Sequence, residues 1–256
     1  MQLKPVHYDV QELYTAKADA YRSFSSTFQH GQGLRALFAA SGLLRPSLRV
    51  LDAGCGFGTT TYALVEALRQ RNFSYQTIDA FDLTRAMLAR FRATLDAQPI
   101  KDVHLRQADV LGLEELPSSW NDYDLILSTS MLDHLPKEEL PSALSALRSR
   151  LAQNGALLVV ITRKNLMTKF LSEWWWHARR YSRRDLQGAF AAAGFRNVVF
   201  RRFPFRYVWL NAANHAVLSK VKGESNTQHV EEHQQDRLLP QGSTTTTERP
   251  EPIRLR

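Results

Sequence analysis

Nine residues, Val50-Leu51-Asp52-Ala53-Gly54-Cys55-Gly56-Phe57-Gly58, constrain the fold more than any other stretch of the chain. An apolar run ends there in three alternating glycines and passes directly into a helical pattern at Thr59. Glycine at such a junction lets the chain turn sharply and brings its backbone closer to a ligand than a Cβ would permit. The helix behind it offers N–H groups that have no intrahelical acceptor. A nicotinamide-binding loop would carry its third glycine at Thr59, whereas here it falls at Gly58.

The rest of the chain fits a sheet around that turn. Apolar runs at 48–52, 75–81, 103–107, 125–128 and 156–161 read as strands, and amphipathic stretches at 59–71, 84–96 and 137–151 as helices between them, with an Asn154-Gly155 turn. Ser182 and Asp185 have capping-box spacing and Gly194 suits the far end, so 183–193 is a helix. Runs at 198–203 and 213–220 are joined too briefly for a parallel crossover and pair antiparallel. Residues 8–44 have helical spacing, broken at Gly31 to Gly33. The predicted fold is α/β: a doubly wound, mostly parallel seven-stranded sheet with an antiparallel C-terminal hairpin. Residues 1–46 form a helical cap, 47–222 the main domain with a Trp-rich insertion at about 163–181, and 223–256, rich in Gln, Thr and Glu, a disordered tail.

Composition narrows the function. No run of about 18 apolar residues exists and the first ten residues lack a signal-peptide pattern, which predicts a cytoplasmic protein without a transmembrane segment. One cysteine, Cys55, leaves no internal disulfide or cysteine-based zinc cluster, and no metal is expected. Residues 163–206 hold eleven basic and two acidic side chains, enough to account for the net charge of +8. A solvated face, an anionic small substrate or membrane headgroup, or nucleic acid would each suit that segment.

Asp52-x-Gly54-x-Gly56-x-Gly58 resembles motif I of the class I S-adenosylmethionine-dependent methyltransferases, and most of residues 48–195 is similar to their small-molecule branch. Asp82-Leu83-Thr84 with Met87 resembles the acidic residue after strand two that in the family grips both ribose hydroxyls; Asp79 is a competing candidate. Ala108-Asp109-Val110 resembles the adenine clamp, and the segment from Tyr123 through Ser128 to Leu132-x-His134-Leu135-Pro136 resembles strand four and its exit. Asp133 departs from the pattern, where relatives often carry a histidine. The resemblance implies a Rossmann-like methyltransferase fold and S-adenosylmethionine as cofactor. It puts Asp52, Ala53, Gly54, Gly56, Gly58, Thr59, Asp82, Leu83, Met87, Asp109, Val110 and Ser128 at the cofactor.

Transfer from a sulfonium needs alignment more than a catalytic side chain. If the acceptor is a phenol or carbon acid, His134 and His177 are the candidate bases. Segments that overhang the strand ends would meet the acceptor: Tyr14, Tyr21, Met131, His134, Phe170, Trp174, Trp175 and His177. Successive helical residues turn by about 100°, so Trp174 to Trp176 cannot all face one core. A small-molecule acceptor, aromatic or hydrophobic and perhaps anionic, fits these residues. An RNA substrate for the basic segment and a non-catalytic cofactor-binding subunit are the alternatives. Phe203, Phe205, Tyr207 and Trp209 alternate as a half-buried edge strand would. Oligomeric state is not legible.

Overall fold

The computed structural model describes residues 29–171 and 178–221. Seven strands form one sheet in the order β3-β2-β1-β4-β5-β7-β6: β1 (Leu48–Ala53), β2 (Tyr75–Asp82), β3 (Val103–Gln107), β4 (Tyr123–Thr129), β5 (Leu151–Thr162), β6 (Val198–Arg201) and β7 (Asn214–Lys220). β1 to β5 pair in parallel, while β7 runs antiparallel between β5 and β6. The strand order reverses between β1 and β4, and a doubly wound sheet holds ligands outside the carboxyl ends of its strands at that reversal.

Near-continuous apolar runs suit these central strands because both faces are covered. On β5, Leu157, Val159 and Ile161 enter one core, while Ala156, Leu158 and Val160 enter the other. The first core is closed by α4 (Leu140–Arg148) and α6 (Arg183–Ala192), the second by α1 (His30–Ser41) and α2 (Thr59–Arg69). α3 (Arg85–Ala97) packs Leu88 and Phe91 against Ala80 and Cys55. Short helices α5 (Leu166–Leu171) and α7 (Leu210–Ala213) complete the described elements, besides three short 3-10 pieces at Val110–Glu115, Leu132–His134 and Phe205–Tyr207. α6 has the expected capping box, Ser182 accepting from the Asp185 N–H at 3.1 Å and Asp185 from the Ser182 N–H at 2.9 Å.

Three sequence expectations fail. The glycines at 31 and 33 do not break a helix; α1 runs through both. A Cβ on Gly33 would lie 2.2 Å from Leu210 Cδ1, so the residue marks a close crossing of α1 over α7. Asn154-Gly155 is not a turn before a strand but an irregularity inside β5, where Tyr123 pairs with Leu151 and Leu125 with Ala156. Asn154 takes φ 68° to make it. Finally, Phe203 to Trp209 is no strand: β6 stops at Arg201 and the chain coils, burying Phe203, Tyr207 and Leu210 at near-helical spacing.

Candidate functional site

A cleft with about 960 Å³ of space, partly shared with solvent, opens at the carboxyl ends of β1 to β4. Its floor is the glycine loop after β1. Gly54, Gly56 and Gly58 take φ 75°, 54° and 95°, where a side chain is strained. A Cβ at Gly54 would meet Met131 Cγ at 2.3 Å, and one at Gly58 would meet the Phe91 ring at 2.3 Å. At Gly56 a Cβ would meet nothing within 4 Å, so this residue alone of the three borders open space by its missing side chain. The Gly54 and Cys55 N–H groups both donate to the Phe81 carbonyl at 2.9 Å, stitching the loop to β2.

Asp82, ending β2, continues that stitching. Its Oδ2 accepts from the Gly56 N–H at 2.9 Å and its Oδ1 from the Thr84 N–H at 2.8 Å. Burial pushes its carboxyl up, against those two hydrogen bonds. Below the loop, Asp52 is fully buried; its Oδ2 accepts from the Thr61 hydroxyl at 2.6 Å and its Oδ1 has no partner. Burial pushes this carboxyl up to about 7, with the Asp82 charge adding and Thr61 opposing. Asp109 follows β3, and its Oδ1 accepts from the Leu111 N–H at 2.9 Å to cap the turn at Val110–Glu115. The competing Asp79 is engaged elsewhere, off the cleft: it accepts from the Tyr123 hydroxyl at 2.7 Å, meets His104 Nδ1 at 3.0 Å and has Arg49 at 3.6 Å.

The other end of the cleft is built from β4, the turn after it and α1. Thr129, Ser130, Met131, His134 and Leu135 line it, together with His30 and Thr60. Thr60 and Thr129 share a hydroxyl hydrogen bond. Asp133 is buried behind this wall, its Oδ2 accepting from the Thr162 hydroxyl and N–H. Arg179 braces the turn, its N–H donating to the Asp133 carbonyl at 2.7 Å and its guanidinium to the His134 carbonyl at 3.0 Å. Burial pushes the His30 imidazole down to about 4, with the Asp133 charge pulling the other way. The imidazole is therefore neutral at neutral pH.

Residues 50–155, from β1 into β5, match the sequence profile of a family described as a methyltransferase domain. Over this segment the chain is similar to methyltransferase domains. It is similar to the carboxy-S-adenosyl-L-methionine synthase of Stutzerimonas stutzeri, 31% identical over 125 residues that make up 47% of each chain. The chain spans less than half the length of the curated relatives it matches. Solved structures that share its fold include two that overlap most of this chain. One is magnesium protoporphyrin IX methyltransferase from Synechocystis PCC 6803 with bound SAM, at TM-score 0.62 and 16% identity, covering 87% of this chain and 100% of that one. The other is an O-methyltransferase family protein from Burkholderia thailandensis, at TM-score 0.63 and 15% identity, covering 81% and 60%.

Of the residues expected at the cofactor, Gly54, Gly56, Thr59, Asp82, Leu83, Met87, Asp109 and Val110 line the cleft. Asp52, Ala53 and Gly58 lie beneath the loop and shape it. Ser128, also expected at the cofactor, is buried with no partner for its hydroxyl; β4 runs one residue further than expected, and Thr129 and Ser130 line the cleft. Met131 and His134 line the far wall. Tyr14, Tyr21, Trp174, Trp175 and His177 lie outside the described residues, as does the side chain of Phe170. His30, Thr60, Thr129 and Ser130 escaped the sequence reading. The signal for His30 was the Gly31 and Gly33 pair, which marks a closely packed helix end rather than a break. Among the described residues, no group of three His, Cys, Asp or Glu side chains is arranged to hold a metal ion, and no helix is long and apolar enough to cross a membrane.

Proposed function

We propose that the chain is an S-adenosylmethionine-dependent methyltransferase acting on a small molecule of aromatic or hydrophobic character. The observation that carries the reading is the meeting on one cleft of the Gly54 to Gly56 loop, Asp82 and Asp109, from the ends of three adjacent strands. In this reading Asp82 takes the ribose hydroxyls, and Asp109 with Val110 takes the adenine. The methionine portion runs over the glycine loop. Two features fit that cofactor. The space before Gly56 admits a ligand against bare backbone, and the unpartnered Asp52 Oδ1 lies behind the loop where a cationic group would lower its cost of ionisation.

The cofactor supplies an already activated methyl group. Held by the Gly54 to Gly56 loop, Asp82 and Asp109, it would present that group for in-line transfer to an acceptor lone pair, with the acceptor giving up its proton. Alignment in the cleft can contribute on the order of 7–11 kcal/mol without a side chain entering the bond changes. For a phenolic or carbon-acid acceptor, His30 and His134 on the same wall are the candidate groups to take the proton. Met131 and Leu135 supply the apolar surface there.

Calorimetric titration with S-adenosylmethionine and its demethylated product tests the core of this reading. Binding at sub-millimolar concentration is expected; a folded protein that binds neither sinks it.

A further inference from the structure

The five exposed large hydrophobic side chains among the described residues are not scattered. Four of them, Leu166, Phe205, Val208 and Trp209, come from two segments joined by hydrogen bonds, and Phe205 and Leu166 are 90% and 87% exposed. The Arg163 N–H donates to the Ala213 carbonyl at 2.8 Å, and Asn165 Nδ2 donates to the Ala212 carbonyl at 2.5 Å. The start of α5 is thereby tied to α7.

The ridge that carries Phe205, Val208 and Trp209 is firmly seated. Phe203, Tyr207 and Leu210 are buried on its inner side. Asn211 clasps the main chain of Phe203 twice, accepting from its N–H at 2.8 Å and donating to its carbonyl at 3.0 Å. The inner residues fall at spacings of four and three, while Phe205, Val208 and Trp209 fall between them at exposed positions. An ordered ridge that turns a phenylalanine, a valine and a tryptophan outward is a surface for something else, since single exposed apolar groups are common but clusters are not.

The charges around it identify what. Arg163, Lys164, Lys169, Arg201, Arg202 and Arg206 are all exposed, and the sequence has no acidic residue from 140 to 172 or from 186 to 221. Exposed Phe and Trp on segments rich in exposed arginine and lysine match a bilayer interface, where the rings enter the headgroup boundary and the cations meet anionic lipid. Nucleic acid would use the arginines and rings but would leave Leu166 and Val208, which have no face for base stacking, unexplained.

We infer that the ridge at residues 203–213 and the adjoining start of α5 form a docking surface for an anionic lipid bilayer. This holds independently of what the cleft binds. It bears on the cleft all the same. Gly33 of α1 packs on Leu210, and the Tyr207 hydroxyl reaches Gln32 at 3.5 Å, within one helical turn of His30 on the cleft wall. A docked ridge therefore brings that wall near the membrane, where a hydrophobic acceptor would be found.

Flotation of the full chain tests the inference, with vesicles of phosphatidylcholine alone and of phosphatidylcholine mixed with phosphatidylglycerol. Binding is expected only to the mixed vesicles and is lost at high salt. The pair Phe205→Ser and Val208→Ser is expected to weaken it about tenfold or more, and the pair Arg202→Glu and Arg206→Glu to abolish it, with circular dichroism and melting temperature unchanged. No flotation with either vesicle, or flotation untouched by both pairs, overturns it. So does tighter retention of a short RNA than of mixed vesicles at equal salt. A fall in melting temperature or a changed sedimentation coefficient in either pair also overturns it, since the patch would then be covered by the chain itself or by a second copy.

Discussion

The two ends of the cleft are made differently. At the end formed by β1, β2 and β3, main-chain N–H groups make the polar contacts, to a carbonyl from Gly54 and Cys55 (Phe81) and to carboxylates from Gly56 and Thr84 (Asp82) and Leu111 (Asp109). At the end formed by β4 and α1, side chains do the lining, and they come from positions as far apart as His30 and His134. A site held by backbone suits one invariant ligand, while a wall of side chains can be exchanged without disturbing the fold. That is the division expected between a shared cofactor and a particular acceptor.

The sharpest attempt to break this comparison is Gly58→Ala. The positive φ and the 2.3 Å approach to Phe91 add, and unfolding in urea is expected to reveal a loss of about 3 kcal/mol or more. Gly56→Ala meets open space, so its stability cost is expected to stay near 1 kcal/mol while cofactor binding suffers most. If both alanines cost the same stability, the distinction between packed and ligand-facing glycines is wrong.

Next in size is Asp82→Ala, expected to weaken S-adenosylmethionine binding by about 1.5–3 kcal/mol in a calorimeter while the domain stays folded. An unchanged affinity would reassign the ribose contact. His30→Gln is expected to leave that affinity within about twofold, because His30 belongs to the wall assigned to the acceptor and not to the ribose or adenine contacts. A large loss there would join the two ends into one site.

The smallest effect separates the ends by pH. The fold holds Asp52 at about 7 against an ordinary 3.8, so its contribution to stability is full below the ordinary value and is lost as pH rises toward 7. His30 is held at about 4 against an ordinary 6.5, so its contribution is full above 6.5 and is lost as pH falls toward 4. The two slopes oppose one another over the same window. Asp52→Asn is expected to expose a decline in stability toward acid pH, and His30→Gln the reverse tilt, each on the order of 1 kcal/mol per pH unit in thermal melts. Parallel profiles for both variants and the parent would remove both shifts.

The same contrast governs what could be read in advance. The backbone-held end was legible because its requirements are local: glycine at positive φ, and an acidic residue closing each of two strands. The side-chain end was not, since nothing near Met131 in the sequence points to His30, and the contact arises only when α1 crosses α7. Glycine was also misread where its role was close packing rather than a turn, at Gly31 and Gly33. The alternating aromatics from Phe203 to Trp209 satisfied a strand pattern by accident, two-residue spacing being shared by the inner and outer sides of an irregular coil. Strand β4 was found but ended one residue short of Thr129, the residue that lines the cleft.

Cys55 has a use that its chemistry does not suggest. It is the sole cysteine of 256 residues, it sits between Gly54 and Gly56, and it is only 4% exposed. Burial, and then the charges of Asp82 and Asp52, hold its thiol well above the ordinary range. A thiol-directed probe will therefore react only in the moments when the loop lifts from β2, and the labelling rate becomes a clock for that opening. Occupancy of the cleft should slow the clock, so an untagged and unmutated protein reports its own ligand.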